Sequence, residues 1–166
     1  VTDTLFEAPA GPPPADPLAT QLADVIRWAS ANAPRTLQTA LGPSEIGEPC
    51  ARRTTYKILG AAETNPGDPW PAYVGTAVHA KLAEDFAAYN QHLGRTKYLV
   101  EQRVEPAPGI AGTSDLTVVD TLATDTDQLV TVDHKIVSKD RVAKLTRDPG
   151  PKYRTQLHLY AAGWHR

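Results

Sequence analysis

Sulfur is scarce in this chain, which has one cysteine, Cys50, and no methionine. A single thiol excludes an intrachain disulfide framework and suits a reducing cytoplasm, the expected location. Long apolar runs are missing too. None approaches the roughly 20 residues that cross a bilayer, so no membrane partner is expected. The opening VTDTLFEAPAG has neither the basic start nor the apolar stretch of a signal peptide. An excess of one charge is also lacking, since 17 Lys and Arg face 19 Asp and Glu for a net charge of -2. The chain as a whole does not carry the strongly basic balance of many nucleic-acid binders.

What is present fits one domain. The 166 residues can bury a single core, and a hydrophobic share of 41% is ordinary for a globular protein. Residues 1–17, with APAGPPPADP, predict a disordered lead-in, and the domain proper is expected over 18–166. Leu18, Leu22, Val25, Ile26 and Ala29 recur at helical spacing. A loop follows, then Cys50 to Leu59 predicts a short helix stopped by Gly60, and ETNPGDPWP is a second loop. Residues 72–90 predict the longest helix, because Val74, Val78, Leu82 and Phe86 recur four apart. Three strands are expected next, around Lys97–Val104, Thr113–Leu122 and Gln128–Val137, with TDTD as the turn joining the last two. Tyr153, Leu157, Tyr160 and Ala161 return to helical spacing over 151–164. This order predicts an α/β fold with a small mixed sheet flanked by helices.

The charges are unevenly spread. Lys139, Arg141, Lys144, Arg147, Lys152 and Arg154 crowd residues 139–154 against only Asp140 and Asp148, and Arg52, Arg53 and Lys57 form a second basic cluster. Clusters of this kind can follow a phosphate backbone on a slightly acidic protein, which makes Lys139, Arg141, Lys144, Lys152 and Arg154 candidate DNA contacts. The plainer account is a solvated surface.

Chemistry concentrates at Asp133-His134-Lys135, inside the strand-like LVTVDHKIV. Residues two apart on a strand share a face, so Asp133 and Lys135 are expected to project together. An isolated triplet of this type is most simply a surface ion pair. Asp115, in GTSDLTVVD, lies at the start of the strand that the TDTD turn would pair with the Asp133 strand. Two carboxylates brought together there repel unless a cation lies between them, and hard cations such as magnesium prefer oxygen ligands. Asp120 is the competing partner, at the far end of its strand. His79, on the long helix beside Val78 and Leu82, reads by itself as a packed core histidine. Gln156 and Tyr160 lie four apart on one face of the last helix.

Taken in order, Gly75 to His79 (G-x-x-x-H), Gly112 to Asp115 (G-x-x-D), Asp133-His134-Lys135 (D/E-x-K) and Gln156 to Tyr160 (Q-x-x-x-Y) resemble the RecB-like branch of the PD-(D/E)xK nucleases. That branch includes CRISPR-associated RecB-like exonucleases, AddB-type helicase-nucleases and phage exonucleases. The resemblance covers residues 44 to 164 and implies a restriction-endonuclease-like core. It also implies a magnesium- or manganese-dependent deoxyribonuclease, more an exonuclease than an endonuclease, acting on single strands or frayed ends in recombination, repair or defence. Asp115 and Asp133 would be metal ligands with the backbone carbonyl of His134, His79 an additional ligand, and Lys135 the group that orients the attacking water. Gln156 and Tyr160 would brace the catalytic site and contact the DNA. Helicase or CRISPR-adaptation partners in a bacterial host or phage-infected cell are implied in the same way. The rival from another class is a non-catalytic DNA-binding module on the same core within a larger complex.

SEIGEPCARRTTYKILG resembles the segment of this branch that carries the first cysteine of a [4Fe–4S] cluster, a group held by four thiolates. We therefore expect a longer parent polypeptide, continuing past Arg166, in which Cys50 would join three later cysteines. In the present chain Cys50 is expected as a free thiol or as a packed side chain filling a small gap.

Overall fold

The computed structural model describes residues 16–65, 67–119 and 129–165. The fold is mixed α and β, in the order α1 (Pro17–Ala31), α2 (Pro34–Leu37), α3 (Pro43–Ile46), α4 (Ala51–Ile58), α5 (Trp70–Leu93), β1 (Tyr98–Ala107), β2 (Ile110–Val118), β3 (Val130–Val132), α6 (Lys139–Arg147) and α7 (Gly150–Trp164). Most of the expected lead-in, the TDTD turn and Asp120 lie outside the described residues. Asp16 and Pro17 belong to a helix start rather than to a lead-in. Asp16 caps α1, its carboxylate accepting the Leu18 N–H at 2.9 Å, and Pro17 opens the helix, a position that needs no amide hydrogen.

The long helix forms as its apolar spacing predicts and stops at Gly94, whose φ of 65° suits the left-handed C-terminal turn. Asn90 then ties α5 to the sheet. Its Oδ1 accepts the N–H groups of Lys97 and Tyr98, both at 3.0 Å, and its Nδ2 donates to the Tyr98 carbonyl at 2.7 Å. The strands run in the order β1-β2-β3, and every pairing among the described residues is antiparallel, which corrects the mixed sheet expected from the sequence. The cause is local. β1 and β2 are joined by the two-residue turn Pro108-Gly109, with Gly109 at φ 76°, and a connection that short can only return the chain antiparallel.

β3 is shorter than the strand predicted over 128–137. Its register pairs Leu116 with Val132, and the next residues leave the ladder because the His134 N–H is taken by the Asp115 carboxylate at 2.8 Å. Asp133 and Lys135 thus follow the strand rather than sit within it. α6 is a helix where only a basic segment was expected.

The sheet is covered on two sides. A Cβ on Gly112 would meet Pro43 of α3 and Tyr160 of α7, whereas Asp115, an odd number of residues along β2, faces His79 of α5. The best-buried side chains are as polar as they are apolar: Val104, Leu116 and Tyr160 share the centre with Ser114, Thr117 and Gln156. Most buried polar groups in folded proteins are partnered, and here the Gln156 amide donates to Asp133, so polar contacts help to order the centre of this fold. α1 adds little to it, since Leu18, Leu22 and Val25 remain exposed.

Candidate active site

Asp115 is the hub of the site. Held in β2 with its side chain only 12% exposed, it accepts the His134 N–H through Oδ2, and the same oxygen lies 3.4 Å from Nδ1 of His79. A backbone N–H given to a carboxylate is charge-assisted and directional, so it fixes the Asp115 rotamer. Glu101 joins them from β1. The pairings Val100 with Leu116 and Gln102 with Ser114 place Glu101 across from Asp115, and its φ of 50° is a conformation few non-glycine residues adopt. One ligand atom each from His79, Glu101 and Asp115 lies within 4.8 Å of the others. Two carboxylates and an imidazole at that spacing fit a divalent cation.

Asp133 stands beside this group and belongs to a second set. Its side chain is 5% exposed, Oδ1 accepts from Gln156 Nε2 at 2.8 Å, and Oδ2 is 2.5 Å from Lys135 Nζ. Gln156 Nε2 also reaches the Tyr160 hydroxyl at 3.3 Å, so the buried pair on α7 braces Asp133 from below. Burial pushes the Asp133 carboxyl above the usual carboxylate range, the Asp115 charge adds to this, and the Lys135 ammonium opposes it. Lys135, 32% exposed, keeps its ammonium 5.7 Å above the Tyr153 ring. The His134 ring packs against Phe86 and meets His79 edge-on, which locks the segment between Asp133 and Lys135 onto α5.

No family model, curated protein or solved structure matches this chain. The functional reading therefore rests on the site itself.

His79, Asp115, Asp133, His134, Lys135, Gln156 and Tyr160 come to this one place, whereas Cys50 is not among them and Asp120 lies outside the described residues. The expected Asp115–Asp133 metal pair is not the tightest grouping, however. Glu101, which sequence reasoning missed, is closer to Asp115 and His79 in the sense that matters for a shared ion. Its neighbours Arg103 and Glu105 alternate with it along β1, and no pattern in YLVEQRVEPA separates it from a solvated strand face.

The candidate DNA contacts divide. Lys139, Arg141 and Lys144 are exposed on α6, which begins four residues after Lys135. Lys152 and Arg154 are already engaged, Lys152 with Glu48 at 2.8 Å and Arg154 with Asp148 at 2.7 Å. Glu45 and Glu48 were also missed. Glu45 accepts the Gly42 N–H at 2.9 Å and Lys57 Nζ at 2.8 Å, and although burial works against its charge, these partners hold its carboxyl below the ordinary value. The hydrogen bond from Lys152 does the same for Glu48. Cys50 is exposed at the start of α4, which removes the packed alternative. A [4Fe–4S] cluster does not fit these residues, because the chain supplies one thiolate where four are needed.

Proposed function

We propose that this chain is a divalent-metal-dependent DNA nuclease that hydrolyses phosphodiester bonds, an exonuclease acting on single strands or frayed ends. The observation that carries the reading is convergence. Five segments between residues 79 and 160 meet so that a His–Glu–Asp cluster stands beside a buried aspartate and its paired lysine. Phosphodiester hydrolysis needs an aligned phosphate, a nucleophile at neutral pH and positive charge opposite the growing negative charge.

His79, Glu101 and Asp115 would hold manganese or magnesium, with Asp133 adjoining, and such an ion lowers the pKa of bound water and neutralises the phosphate. The protein's own groups do the rest. The Lys135 side chain is partly exposed and pinned by Asp133, so its ammonium could orient a water and offset charge on a non-bridging oxygen. Gln156 and Tyr160 keep Asp133 from turning away. The His134 N–H holds Asp115. Lys139, Arg141 and Lys144, exposed on α6 four to nine residues after Lys135 in sequence, would supply cations for the strand's other phosphates.

The test is end-labelled single- and double-stranded DNA with manganese or magnesium, for wild type and for Asp115→Ala, Asp133→Ala and Lys135→Ala. Wild type is expected to give a product ladder, and each variant to lose about a hundredfold or more, as is typical when an electrostatic partner of the transition state is removed. Binding without cleavage in both metals would instead return the non-catalytic DNA-binding module.

A further inference from the structure

A cavity of about 360 Å3 adjoins the site, walled by α3, α4 and α7, and Lys135 and Gln156 belong to its lining. That volume lies within the roughly 300–1,000 Å3 range of small-molecule sites. Its wall is charged in a patterned way. Four cations, Arg53, Lys57, Lys135 and Lys152, face two carboxylates, Glu45 and Glu48.

The glutamates position the cations rather than cancel them. Glu45 holds Lys57 at 2.8 Å; Glu48 holds Lys152 at 2.8 Å and lies 3.7 Å from Arg53. Each lysine ammonium has three donor hydrogens and the guanidinium five, so every cation retains donors for a ligand after meeting its glutamate. The hydroxyl-bearing side chains of Ser44 and Thr54 complete a lining suited to an anion rich in acceptor oxygens.

We infer that this cavity receives the terminal phosphate of a nucleic-acid strand, a phosphomonoester, and seats the strand end against Lys135. The inference rests on the nuclease reading above. Within the lining, four cations against two glutamates leave an excess of positive charge that suits a monoester of about -1.5 to -2 better than an internal diester of single charge. The shared wall makes the consequence concrete. Lys135 lines the cavity and also pairs with Asp133, so a strand end held in the cavity would lie next to the proposed cleavage site, which would favour strand ends over strand interiors.

The experiment measures equilibrium binding of a fluorescent single-stranded oligonucleotide in chelator, with its end carrying a 5′-phosphate, a 3′-phosphate or only hydroxyls. Wild type is expected to prefer one phosphorylated end by about tenfold or more, the usual scale for hydrogen bonds to a charged group, and the preferred end fixes the polarity. Arg53→Gln and, separately, Lys57→Gln should erode that preference, and Arg53→Lys should restore part of it. The Arg53 side chain is 76% exposed, so its replacement does not threaten the fold. The wild-type comparison needs no variant. Equal binding of all three ends overturns the cavity's assignment, and would do so even in a protein that cleaves DNA in manganese. A preference for phosphorylated ends without any cleavage in manganese or magnesium keeps the assignment and removes the nuclease reading instead.

Discussion

Gly112→Ala is the most informative single substitution outside the charged residues. A Cβ at this position would stand 2.6 Å from Cδ and 3.1 Å from Cγ of Pro43, and 3.1 Å from Cε1 of Tyr160. Neither neighbour gives way easily. Pro43 is fully buried and rigid, and Tyr160 is 5% exposed and tied to Gln156. Overpacking of a fitted interior costs about 1–3 kcal/mol, and a contact of 2.6 Å against a ring belongs in the upper half of that range. Alanine recovers about 0.4–1 kcal/mol by restricting the unfolded chain. The net expectation is a loss of about 2 kcal/mol, and at about 2–4 °C per kcal/mol for a chain of this size Tm should fall by about 4–8 °C. Because the pressure falls on Tyr160, the Gln156 bond to Asp133 should loosen as well, so cleavage is expected to drop more than the folded fraction does. Thermal melting by circular dichroism, paired with cleavage below the melt, reads both effects. A Tm within about 1 °C of wild type would refute the argument, because it would mean that the sheet and α7 can separate freely at this point.

The other glycine of the motif set behaves oppositely: a Cβ on Gly75 meets nothing within 4 Å, so Gly75→Ala in the middle of α5 should stabilise by about 0.8–1 kcal/mol, and a melt showing a loss would place an unseen neighbour there. Asp133→Asn should be inactive yet more stable than wild type in chelator at neutral pH. The sign follows from the raised carboxyl: a group whose folded pKa exceeds its unfolded 3.8 imposes no penalty well below 3.8, and a growing one as pH rises through that value to the folded pKa. Denaturant melts in chelator across that window check this, and a destabilised Asn variant sinks it. Reversing Lys139, Arg141 and Lys144 together should weaken DNA binding and flatten its salt dependence, by roughly 0.7 of a slope unit for each phosphate of a single strand no longer neutralised; an unchanged slope puts the strand elsewhere than α6.

Much of the architecture could be read from periodicity, and most of the candidate site from four short spacings. α5 and α7 were legible because their apolar positions recur at helical intervals over many turns. α6 was not, since KDRVAKLTR offers only Val142, Ala143 and Leu145 for a stripe and its charges read as a loop. The early end of β3 was hidden for a different reason. LVTVDHKIV is a good strand in isolation, and what stops it is a side chain from another strand taking its amide hydrogen. Glu101 and the Glu45–Lys57 and Glu48–Lys152 pairs escaped because their importance is purely spatial. Glu48 and Lys152 are 104 residues apart, and neither lies in a pattern that points to the other.

The Asn90 joint bears on the order in which the site is assembled. Its bonds link residues seven and eight positions apart, and the β1–β2 hairpin that follows turns in two residues. Contacts this local form quickly, because little chain entropy is lost in closing them. They bring His79, Glu101 and Asp115 together within one continuous stretch, residues 70–118. The other links of the site span comparable lengths of chain, 19 residues from Asp115 to His134 and 23 from Asp133 to Gln156, against 36 from His79 to Asp115. What the joint changes is the effective loop. Once Asn90 is tied to Lys97 and Tyr98 and the hairpin has formed, only the helical stretch between residues 79 and 90 separates His79 from the frame that carries Asp115. Asn90→Ala should therefore slow folding as well as lower stability, and stopped-flow refolding that shows an unchanged folding rate would remove the joint from the early steps.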